Sequence, residues 1–148
     1  MDFDNPPPEI GPHEDRELEL MLSGVKPLAY FSELTRADFD WPDGEFEPHV
    51  QSGRILKREV LHTETILGVD EEIRLLFYAL PGEEWRIEKA YANRMRGNEN
   101  GQETEFDSRE MGALLGYADH EIDVYIAWRA AIKKAMRDGD WPPPHTQA

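Results

Sequence analysis

Residues Leu75-Leu76-Phe77-Tyr78-Ala79-Leu80 form an uncharged run in a chain of which 32% is charged. Successive strand residues point to opposite faces. A run apolar at both parities therefore reads as a central strand. This strand is expected over 72–80, and Pro81-Gly82 ends it. Upstream, 54–63 alternates. Leu56, Val60 and His62 fall on one face, and Ile55, Lys57, Glu59 and Leu61 fall on the other. A turn near Gly68-Val69-Asp70 would join the two strands as an antiparallel hairpin. Pro27 blocks a helix and leaves 28–31 as a short third strand.

The remaining apolar residues follow helical spacing. Leu18, Met21 and Leu22 make one stripe of a helix over 14–23 that stops at Gly24. Phe46 and Val50 anchor a short helix over 45–51. A helix over 83–96 carries acids in its first turn and arginines in its last, the order that suits the helix dipole. A polar loop, 97–105, follows. Asp107 and Glu110 resemble a capping box for a helix ending at Leu115. A last helix, 120–137, shows Ile122, Tyr125, Ile126 and Ala130 on one face. The element order predicts an α+β fold: a small antiparallel sheet of about three strands, with helices packed on one face. The 148 residues suffice for one core. Residues 13–140 are expected to form a single domain. Residues 1–12 and 141–148, each with three consecutive prolines, are expected to be flexible tails.

With no cysteine, the chain has no disulfide, thiolate metal site or cysteine nucleophile. Its net charge is −15, and residues 1–50 alone hold thirteen acids against three bases. Such a surface repels phosphate backbones and anionic lipid, so direct nucleic-acid or membrane binding is not expected. It favours a basic protein partner. The acidic, proline-rich start does not read as a signal peptide, and a cytoplasmic location is expected.

No motif for chemistry stands out. Gly97-Asn98-Glu99-Asn100-Gly101 lacks the lysine and hydroxyl of a phosphate loop. None of the five histidines has a partner at helical metal-binding spacing. His62 and Glu64 share a strand face and read as an exposed histidine beside a solvated glutamate. Arg129, on the apolar stripe of the last helix, is expected to snorkel or to pair with a buried carboxylate. No catalytic residue, metal ligand or cofactor is assigned.

The most unusual segment interleaves acids with aromatics. Asp38, Phe39, Asp40, Trp41, Asp43, Glu45, Phe46 and Glu47 form the candidate partner-binding set: aromatics anchor, acids steer. The expected function is a small acidic protein that binds and inhibits a basic, nucleic-acid-handling partner. An immunity protein, an antitoxin or an anti-CRISPR-like inhibitor would fit. The alternatives are a small enzyme with a non-standard site and a regulatory adaptor that forms a homodimer through the aromatic surface.

Overall fold

The computed structural model describes residues 12–101 and 103–139. The tails expected over 1–12 and 141–148 lie outside the described residues, apart from Pro12. The elements are α1 (Glu17–Leu22), β1 (Leu28–Leu34), α2 (Asp43–Gln51), β2 (Leu56–Ile66), β3 (Val69–Ala79), α3 (Trp85–Asn100), α4 (Glu105–Leu114) and α5 (Asp119–Arg137).

The three strands form one antiparallel sheet in the order β1-β3-β2. The uncharged run lies in the central strand, where it is paired on both sides. Phe77 stands opposite Tyr30 on one side and Arg58 on the other. The α+β class and three-stranded antiparallel sheet agree with the sequence reading. The helices, however, cover both faces of the sheet rather than one. Ile73, Leu75, Phe77 and Ala79 pack with Leu28, Ile87, Ala90 and Leu114, beneath α3 and α4. Leu76 and Tyr78 pack with Ala29, Met21, Phe46 and Ile55, beneath α1 and α2. The physical reason is β3 itself, since a strand apolar on both faces leaves half its side chains in water if only one face is covered.

The hairpin between β2 and β3 closes through Leu67-Gly68, both at positive φ (52° and 80°). This is the backbone of a two-residue type I′ turn, whose twist matches that of the flanking strands. The strands are longer than expected because the loop is only two residues, so pairing runs up to Ile66 and Val69 and does not stop near 63 and 72.

Two helix limits also differ from the sequence expectation. α3 runs on to Asn100, because Asn98 is anchored by a 2.7 Å hydrogen bond to Glu64. α4 starts earlier, with Thr104 as its cap. Thr104 Oγ1 accepts from the Asp107 backbone N–H, while the Asp107 carboxylate accepts from the Thr104 N–H. Asp107 is therefore the last residue of the capping box, three after its cap, and not its first. α5 packs on α4 at Gly112, where an added Cβ would lie 2.9 Å from the Ile122 side chain. Arg86, at the start of α3, donates to the carbonyls of Ala113 and Leu114. A cation there complements the negative end of α4.

Candidate functional site

The acidic–aromatic segment leaves β1 through a chain of short backbone turns. Ala37 N–H donates to Leu34, Phe39 to Ala37, and Trp41 to Phe39. These turns hold the loop against the face of the sheet covered by α2. Pro42 then precedes the first turn of α2, whose N-terminal end carries Asp43 and Glu45 and so favours negative charge.

The structure divides the eight candidate residues into three groups. Phe46 belongs to the core. It is 1% exposed, stacks on Tyr78 at 4.0 Å between ring centroids, and meets Phe31 edge-on. The sequence set placed it among surface anchors, and burial removes it from any direct contact. Its spacing to Val50 is the signal that it faces inward.

Asp43, Glu47 and Trp41 form a clamp. Arg74 of β3 donates to both carboxylate oxygens of Asp43, each at 2.8 Å, and its Nε donates to Glu59 at 2.6 Å. Lys57 of β2 adds a 2.9 Å bond to Asp43 and lies 3.9 Å from Glu47. The Arg74 guanidinium sits over the Trp41 ring, 4.5 Å from its centroid. The hydrogen bonds from Arg74 hold the Asp43 carboxyl well below its ordinary range, and Asp43 in turn raises Arg74. Both groups stay ionised at neutral pH, so Asp43 is a structural anion here and not a proton carrier.

Asp38, Phe39, Asp40 and Glu45 make the third group. Phe39 is 37% exposed and stands edge-on to Trp41 at 4.7 Å. Asp38, Asp40 and Glu45 are exposed and form no ion pair among the described residues. The result is an aromatic edge on a rigid base, flanked by free carboxylates. It can receive a cationic side chain by charge and by ring contact.

A second polar cluster lies on the opposite face, between β2 and α3. Glu64 accepts from Arg94 at 2.8 Å and from Asn98 at 2.7 Å. Burial raises the Glu64 carboxyl, but the Arg94 and Asn98 hydrogen bonds outweigh it and hold the group ionised. His62 Nε2 lies 3.0 Å from Glu64 without the alignment of a hydrogen bond. The shared strand face is as read from the sequence. The expected solvation is not, because α3 covers both side chains. The partners come from α3, about thirty residues downstream, and no local pattern announces them. Of the two expectations for Arg129, the pairing with a buried carboxylate is not found among the described residues. Arg129 donates to the Tyr125 hydroxyl at 2.8 Å instead.

Among the described residues, no group of three or more His, Asp or Glu side chains could hold a metal ion. No helix among them is long and apolar enough to cross a membrane. No family model, curated protein or solved structure matches this chain.

Proposed function

We propose that this chain binds and inhibits a basic, nucleic-acid-handling protein through the exposed part of the acidic–aromatic segment. The observation that carries the reading is the arrangement at the start of α2. Phe39 stands exposed on a Trp41 ring fixed by Arg74, with Asp38, Asp40 and Glu45 unpaired around it among the described residues. A surface built to hold phosphate is positive, and carboxylates presented on a rigid base compete for it. Rigidity matters because ordering a loop on binding costs affinity. The clamp places that ordering cost in the fold.

The test is a capture experiment with two variants. The triple variant D38N/D40N/E45Q should lose a partner that the native chain retains at low salt and releases at high salt. F39A should retain the partner's association rate but release it faster, since a central aromatic contact acts on dissociation. Retention of the same partner by the triple variant, with an unchanged salt dependence, would overturn the reading.

A further inference from the structure

The two edges of the sheet are not alike. The outer edge of β1 is satisfied at its end. Leu34 N–H donates to the Glu33 carboxylate at 2.9 Å, and the Leu34 carbonyl accepts from Ala37. β2 has no such cover. In a hairpin with a two-residue loop, the closing pair exchanges hydrogen bonds, and such pairs then alternate. Ile66 and Val69 are the closing pair, so Glu64, His62 and Val60 bond to β3. The bond from Thr35 N–H to the Glu72 carbonyl agrees, because it turns the even-numbered groups of β3 toward β1. The backbone groups of Lys57, Glu59, Leu61, Thr63 and Thr65 therefore point outward. Among the described residues they meet no other backbone.

Folded proteins usually blunt such an edge with charged side chains, proline, a bulge or a short strand. The charges of β2 are engaged within the chain: Lys57 with Asp43, Arg58 with Glu88, Glu59 with Arg74 and Glu64 with Arg94. β2 runs the length of the hairpin in unbroken register, and it contains neither proline nor glycine. At its middle, Leu61 is 52% exposed.

We propose that this edge is a homodimer interface, in which β2 pairs antiparallel with β2 of a second copy about a two-fold axis at Leu61. An axis perpendicular to the sheet keeps each face on its own side, so it must pass through a residue and not between two. Leu61 is the centre of the strand. Pairing about it sets Leu61 on its own counterpart, Arg58 opposite Glu64, Glu59 opposite Thr63, and Lys57 opposite Thr65. No like charges face each other, although the chain carries −15 overall. That self-complementarity favours a second copy over an unrelated strand. The outward-pointing residues become the hydrogen-bonded pairs of the new ladder, and the two sheets join into one. Lys57 and Glu59 of this edge also bond to the Asp43–Arg74 clamp, whereas Asp38, Phe39, Asp40 and Glu45 are not among the paired residues, so the dimer would present two copies of that exposed set to a partner.

The chain has no cysteine, so single cysteines report the register directly. Under mild oxidation, L61C should cross-link to itself, since directly opposite hydrogen-bonded residues lie about 5.5 Å apart between Cα atoms, within disulfide range. T65C and L67C, away from the axis, should stay monomeric. In sedimentation equilibrium the native chain should show a concentration-dependent mass rising toward twice the monomer. L61K, which places like charges on the axis at an exposed position, should weaken association about tenfold or more while leaving unchanged the melting temperature measured at a concentration where both proteins are monomeric. T63P removes one outward N–H and should do the same. If T63P fails to fold, L61K decides. A native chain that stays monomeric throughout, or cross-linking of T65C as fast as L61C, would overturn the proposal.

Discussion

The two faces of β3 are built differently, although one strand supplies both. Toward α3 and α4 the strand presents Ile73, Leu75, Phe77 and Ala79, and the contact is apolar along its length. Toward α1 and α2 it presents Tyr78 and Leu76, and then Arg74, where the apolar contact gives way to ion pairs. Where β3 itself meets the first face it is held by burial, and the ion pairs of that face lie to one side, between β2 and α3. The second is held partly by charge, and the charged half is the part that carries the exposed aromatic edge. The surface proposed to bind a partner therefore rests on the part of the sheet held by charge.

The helices of the two faces meet at Lys26, just before β1. Its ammonium donates to the Leu115 carbonyl at 2.7 Å, lies 2.8 Å from His13 Nδ1, and sits beside the Tyr117 ring, itself stacked on His13. Burial pulls Lys26 down to about 8 and also lowers His13.

The largest expected effect is on the apolar face. F77A should lower the free energy of unfolding by about 3–5 kcal/mol, with little dependence on pH or salt. Chemical denaturation at several pH values checks both statements. A strong pH dependence of the loss would break the contrast.

The second effect belongs to the junction. Between pH 8 and about 10.4, the ordinary value for lysine, the unfolded chain holds a proton at Lys26 that the folded chain has shed. Stability contributed by this group therefore rises with pH across that window. Relative to K26M, the native chain should gain about 2 kcal/mol between pH 8 and 10, at a slope near 1.4 kcal/mol per unit. Parallel stability curves for the two proteins would show that Lys26 is not desolvated.

The third effect separates the charged half of the other face. R74M should cost about 1–2 kcal/mol at neutral pH, because Asp43 loses a bidentate partner but remains partly in water. The Asp43 carboxyl is depressed in the fold, so its contribution is present above about pH 4 and is lost as the pH falls further. The two proteins should converge in acid. Trp41 fluorescence should also change in the variant, since the cation over its ring is gone.

The smallest effect is the most telling for function. D38N/D40N/E45Q should shift stability by less than about 0.5 kcal/mol, as expected for exposed charges. A larger loss would move these acids from the binding surface into the fold.

The central strand and the face assignments of β2 were legible in sequence because both depend on a two-residue period. The same run held the evidence for cover on both faces, since its even and odd residues are equally apolar. Phe46 was legible as the anchor of α2, but not as unavailable to a partner. Among closely spaced aromatics, composition alone does not tell which ring the backbone turns inward. The Arg74 clamp was not legible. It joins residues from a loop, a helix and two strands, and a lone arginine before an apolar run carries no local mark of its partners. The same holds for Glu64 and Arg94. Their partners are set by how α3 lies along β2, which is a tertiary outcome.

The position of β3 also bears on the order in which the chain assembles. Its partner β2 is joined to it by a two-residue turn, and such hairpins close in about 1–10 μs. Its partner β1 lies some forty residues upstream, so that pairing must wait for a longer loop to close. During the wait, Leu75 to Leu80 is an uncharged, β-prone edge of the kind that recruits other chains. Arg74 before it and Pro81 after it are suited to limit such growth. The high net negative charge keeps unfinished chains apart in the same interval. Refolding yield should therefore fall with added salt sooner than native solubility does, as screening removes the repulsion while the edge is still open.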